Sequence, residues 1–136
     1  MLPSSRCAVR RGAKALIVEE GTVLLLKERR DDGTTFRSLP GGGIESGETL
    51  PECLHRELTE ELHCRIDIGE PVGSCLYRHK TLEDTVTLYS VLTAETLCDP
   101  VANRAEEVVG YGWHELDRLP PDLLDPFQEM LSAQSL

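Results

Sequence analysis

Apolar residues open the chain in two short runs, "AKALIVEE" and "TVLLLKER", separated by Glu20-Gly21. Runs of this length around a glycine turn predict two strands, near Ala13 to Glu19 and Thr22 to Glu28, joined as a hairpin. "RDDGT" is a turn signal, and "TFRSL" is a short strand leading into Pro40 and a loop of three glycines, Gly41 to Gly43. Farther on, "CRIDIGEPVGSCLYRH" and "TVTLYSVLTAET" are rich in β-branched residues with partial alternation and predict two more strands meeting around "KTLED". "LCDPVANRAEE" has loop character, "VVGYGWH" predicts a last strand and "LLDPFQEMLSAQ" a closing helix.

Between the glycines and the third long strand the period changes. Thr49-Leu50-Pro51-Glu52 fits a capping box, with Thr49 as N-cap and Glu52 reaching back. Proline is tolerated at Pro51 because a first-turn amide has no intrahelical partner. The predicted helix runs from about Leu50 to Leu62. Strands first, one helix in the middle and one at the end predict an α/β (α+β) fold, a sandwich with a mixed β-sheet between helices.

A chain of 136 residues suits one domain, 1–136. Hydrophobic residues at 40% and charged residues at 28% are ordinary for a globular protein. No apolar run is long enough to span a bilayer, and the first residues lack the apolar core of a secretory signal, so a cytoplasmic protein without membrane partners is expected. The five cysteines are scattered with no C-x-x-C pair, as expected of reduced thiols. The net charge of −10, with three lysines and eleven arginines, opposes strong binding to nucleic acid. A phosphorylated substrate would need a metal to screen it.

The carboxylates of the central helix change the picture. With Leu50 at about 0°, Leu54, Leu58 and Leu62 fall at about 40°, 80° and 120°, and Cys53 at about −60°. Glu57 and Glu61 fall at about −20° and 20°, inside that apolar arc, and Glu60 at about −80°, at its edge. A charge-rich helix is usually wet on the face away from the core. These three acids sit on the other face, and like charges that close to apolar surface either raise each other's pKa or bind a cation. Oxygen ligands without imidazole or thiolate suit Mg²⁺ or Mn²⁺. The adjoining glycines let a ligand approach the main chain.

The stretch Gly42 to Cys64 resembles the Nudix box, G-x5-E-x7-R-E-U-x-E-E-x-G-U with U aliphatic, through Gly42, Glu48, Arg56, Glu57, Leu58, Glu60 and Glu61. Two positions depart from it: His63 stands where the box has glycine, and Cys64 where it has an aliphatic residue. Histidine enters the left-handed region more readily than most residues, so the helix cap is expected to survive with some strain. The resemblance implies a Nudix pyrophosphohydrolase that cleaves nucleoside diphosphates linked to another group, using Mg²⁺ or Mn²⁺. It implies that Glu57, Glu60 and Glu61 bind the metal and that Gly41 or Gly42 adds a carbonyl. Arg56 would orient the carboxylates, Glu48 would brace the loop, and Glu57 is the first candidate for general base. Glu107, with Glu106 as alternative, holds the place of a further acid before the last strand. Tyr77, His79, Tyr89 and Trp113 are candidates to line a pocket, and Arg29, Arg30, Arg37, Arg78 and Lys80 to meet phosphates. A nucleotide-type small molecule is the expected partner, with a homodimer possible. The alternative is a non-catalytic Nudix-like module that binds nucleotides, and the choice among nucleoside triphosphates, ADP-ribose and related compounds stays open.

Overall fold

The computed structural model describes residues 8–79 and 84–133. Two four-stranded sheets lie between two helices. The first sheet has the order β5 (Gly41–Gly43), β1 (Ala8–Leu16), β7 (Thr85–Thr96), β6 (Ile66–Arg78). It is mixed: β1 and β7 run parallel, whereas β5 and β6 pair antiparallel with β1 and β7. In the second, β3 (Thr22–Arg29) is central and pairs antiparallel with β2 (Val18–Glu19), β4 (Thr35–Ser38) and β8 (Val108–Glu115).

The first predicted strand needs correction. Ala13 to Glu19 is not one strand of a hairpin, because the chain divides at Ile17: Ala8–Leu16 enters the first sheet and only Val18–Glu19 pairs with β3. The hairpin turn itself lies at Glu20-Gly21, both with positive φ, as a two-residue turn between right-twisted strands requires. The run "ALIV" hides the division because it is apolar on both faces and carries no alternation to mark a change of sheet. The glycines also differ from expectation, since Gly41–Gly43 form a short edge strand instead of a loop.

Alternation on β1 and β3 assigns the two cores. Ala13, Ala15 and Ile17 join Leu24 and Leu26 against the helix α1 (Leu50–Leu62) through Leu54, Leu58 and Leu62. The opposite faces, Leu16, Val23 and Leu25, pack with Tyr89, Val91 and the closing helix α2 (Asp125–Ala133) through Phe127 and Leu131. β6 lies at the edge of its sheet, which accommodates Pro71 and the irregular pairing around it. No helix among the described residues is long and apolar enough to cross a membrane.

Helix α1 has the predicted bounds and the predicted capping box, with Thr49 accepting from the Glu52 amide and Glu52 accepting from the Thr49 amide. Its C-terminus closes on His63 at φ 48° and ψ 39°, the left-handed conformation in which the box has glycine. The last carbonyls find partners from the segment after β7. Asn103 donates to Glu60 through its side chain and to Glu61 through its amide, and the Val101 amide donates to Leu62.

Candidate active site

The three helix acids grade from core to solvent as the helical placement predicts. Glu61 is 7% exposed, whereas the Glu57 and Glu60 side chains are 16% and 38% exposed. Arg56 holds the outer part of the group. Its guanidinium donates to Glu48 at 2.6 and 2.9 Å, to Glu57 at 3.1 Å, to Glu60 at 3.2 Å and to the Gly43 carbonyl at 2.9 Å. Glu48 also accepts from the Glu45 amide at 2.8 Å, so its contacts reach from the loop to the helix. A planar fork with several fixed donors is the side chain suited to this task.

The glycine strand supplies the opposite wall. The Gly41 amide donates to Glu61 at 2.9 Å. Gly41 has φ +134°, and a Cβ there would collide with the Ala13 carbonyl. At Gly42 a Cβ would occupy the place of the Glu57 carboxylate. Glycine at these two positions therefore lets the main chain lie directly on the helix acids.

Two residues of the site, Lys14 and Glu28, were not expected from the sequence. Lys14 on β1 is 5% exposed, and its ammonium donates to Ser38 Oγ at 3.2 Å, to the Leu39 carbonyl at 3.0 Å and to the Gly41 carbonyl at 3.2 Å. It also lies 4.9 Å from the Tyr89 ring centroid and 5.7 Å from that of Phe127. Burial opposes its charge, but Tyr89, Glu28, Glu61 and Glu57 outweigh burial, and its pKa moves up. The inward lysine amid apolar neighbours was the signal available in "AKALIV", where alternation places it on the buried Leu16 face. Glu28 was missed too: it continues the inward face of Leu24 and Leu26 and ends in the same pocket, its pKa raised by burial.

These groups line a cavity of about 400 Å³ whose walls include Lys14, Glu28, Gly41, Gly42, Glu57 and Glu61. Arg29, Arg30, Tyr77, His79 and Tyr89 line it as well. Arg30 stacks 4.3 Å from the Phe36 ring centroid. Trp113 and Arg78 stand outside the lining, Arg37 is engaged by Asp122 at 2.6 Å, and Lys80 lies outside the described residues. Glu107 also stands outside the lining, and its carboxylate accepts from Arg29 at 2.8 and 3.1 Å. Its neighbour Glu106 closes a short 3-10 turn, Arg104–Glu106, on the surface.

Burial raises the pKa of Glu57, against the pull of Arg56 and Lys14. Glu61 is raised well above the ordinary carboxylate range by burial, again against Lys14. The donor set fits a hard divalent cation: clustered carboxylates and main-chain carbonyls. The Cys53 thiol, pushed up to about 11 by burial, points at the Gly42 carbonyl, 3.5 Å away. Among the described residues no three acids stand in a ligating arrangement; Arg56 holds Glu57 and Glu60, and the Gly41 amide holds Glu61.

The family model for the NUDIX domain matches residues 8–134. A Bacillus subtilis protein provisionally assigned as an 8-oxo-dGTP diphosphatase is 27% identical over 111 residues, 80% of this chain and 68% of its own. The NAD-capped RNA hydrolase NudC of Chromobacterium violaceum is 29% identical over 109 residues, 79% of this chain but only 39% of its own. Among solved structures, the MutT NUDIX hydrolase from Burkholderia pseudomallei superimposes with a TM-score of 0.80 at 25% identity, covering 91% of this chain and 96% of that one.

Proposed function

The chain belongs to the Nudix family and is a hydrolase, and from that premise we propose that it cleaves the diphosphate linkage of nucleoside diphosphate compounds with Mg²⁺ or Mn²⁺ held between α1 and the glycine strand. The observation that carries this reading is the packing of Gly42 against the Glu57 carboxylate, which sets the glycine strand and the helix acids Glu57 and Glu61 in one cavity wall. Glu57, Glu60 and Glu61 would hold the cation, with the Gly41 or Gly42 carbonyl; a carbonyl oxygen already accepting one hydrogen bond retains a second lone pair. When bound, the cation neutralises phosphate oxygens and lowers the pKa of a water that attacks phosphorus.

The remaining roles fall to the chain. Glu57 faces the cavity and is the candidate to accept the water's proton. Arg56 and Glu48 keep the helix and glycine strand in register. Arg29 and Arg30, which line the cavity, are the candidates to meet phosphates, and Tyr77 and Tyr89 to offer aromatic surface to a base. The proposed substrates are nucleoside triphosphates, ADP-ribose and related nucleotides, acted on by a cytoplasmic enzyme.

The test is phosphate or pyrophosphate release from a panel of nucleoside triphosphates, oxidised dGTP, ADP-ribose and dinucleoside polyphosphates, with and without Mg²⁺. Glu57→Gln should lower kcat by about 10²-fold or more. Glu107→Gln should match that loss if Glu107 swings in as the base, and should leave kcat unchanged if it serves only Arg29. Full turnover by Glu57→Gln, or turnover that needs no divalent cation, would refute the reading.

A further inference from the structure

Two cysteines outside the cavity meet at the far end of α1. Cys64 is 1% exposed and Cys98 is exposed, and their sulfurs lie 3.2 Å apart as free thiols. The sheet register explains the meeting. Ile66 pairs with Thr96 at the end of the antiparallel β6 and β7 pair, and the Leu97 amide donates to the Arg65 carbonyl at 2.9 Å. That bond carries the pairing one step past the strand ends and brings Cys64 and Cys98 side by side just beyond it. The two thiols already meet, and a disulfide needs the sulfurs to close to about 2.05 Å. The other described cysteines have different surroundings: Cys53 points at the glycine strand, and Cys75 contacts Met130 and the Pro126 carbonyl.

We propose that Cys64 and Cys98 form a redox-active dithiol, a modification site whose disulfide fastens the end of the acid-bearing helix to the segment after β7. The co-reactant is a small-molecule disulfide such as oxidised glutathione. The exposed Cys98, as thiolate, attacks one sulfur of that disulfide; a Cys98–glutathione bond forms and one glutathione thiolate leaves. Cys64, as thiolate, then attacks the Cys98 sulfur, forming the Cys64–Cys98 bond and releasing the second glutathione. Two electrons pass to the oxidant, and the two cysteine protons end on the two released thiols. The exposed partner is the entry point and the buried one resolves, since only Cys98 can be reached from solvent.

The bond would close a loop across a sequence separation of 34. It lies beside the capping contacts from Val101 and Asn103 to Leu62, Glu61 and Glu60, so it constrains the end of α1 directly.

The experiment incubates reduced full-length protein with oxidised glutathione, followed by intact mass, thiol titration and peptide mapping. Wild type should lose two hydrogens, fall from five titratable thiols to three, and yield a Cys64–Cys98 peptide. Its Tm should rise by on the order of 10 °C, reversibly with dithiothreitol. Cys64→Ser should stop at one glutathione on Cys98, and Cys98→Ser should gain neither bond nor adduct at Cys64. A wild-type protein that stops at the Cys98 adduct, joins either cysteine to another, or keeps all its thiols would overturn the proposal. None of these readouts depends on hydrolysis.

Discussion

Replacing Lys14 with methionine keeps an unbranched buried side chain and removes the charge on which the centre of the site rests. Three acceptors lose their donor: Ser38 Oγ and the carbonyls of Leu39 and Gly41. Leu39 keeps a second donor in Ser38 Oγ at 3.1 Å, so the loss is less than three independent charged bonds. Glu61 keeps the Gly41 amide but loses the cationic influence of Lys14, and Glu28 keeps only that of Arg30. Removing one partner from a buried charge group costs about 3–5 kcal/mol. Unfolding entropy of about 2.1 cal/mol/K per residue gives about 0.29 kcal/mol/K for 136 residues. The metal-free variant should therefore melt about 10–17 °C below wild type. Calorimetry in a chelator, repeated with saturating Mn²⁺, measures both parts of the expectation. The added cation should restore more Tm to the variant than to wild type, because it replaces the missing positive charge. A loss below about 1 kcal/mol, or equal restoration in both proteins, would refute the view of Lys14 as the internal counter-charge.

Two further outcomes follow from the same geometry. His63→Gly should raise stability by about 0.5–1 kcal/mol, or about 2–3 °C in Tm, because glycine holds the left-handed cap of α1 without Cβ strain; an unchanged or lower Tm would show that the histidine side chain compensates. Glu61 has its folded pKa raised above the ordinary 4.5, so the native state retains a proton that the unfolded chain has lost, and its contribution to stability falls as pH rises through that range. Metal-free Glu61→Gln, which preserves the Gly41 hydrogen bond, should thus gain on wild type in urea midpoint as pH rises above the ordinary carboxylate value of 4.5, and a pH-independent difference would contradict the assignment.

Much of the site was legible along the chain because it is local. Glu57, Glu60, Glu61, Arg56 and the Thr49 cap belong to one helix, whose period and first-turn chemistry determine which side chains share a face. The helical angles alone place Glu57 and Glu61 inside the apolar arc and Glu60 at its edge. Glu48 and Gly42 lie within two turns of chain from that helix, and their contacts to Arg56 and Glu57 close short loops. The left-handed cap at His63 was likewise a local matter.

What only tertiary structure decided lies at long range. The division of "ALIVEE" between two sheets depends on strands that arrive much later in the chain, since β1 pairs with β7 and β3 with β8. A continuous apolar run satisfies both faces of either sheet, so its sequence contains no preference between them. Lys14 enters the site because the β1 register sets it opposite Gly41, and Glu28 because β3 continues its inward face beyond Leu26. Cys64 and Cys98 meet only through the register of β6 on β7. Side-chain periodicity fixes the face a residue presents, but strand pairing selects its neighbour, and that selection is made by the whole core at once.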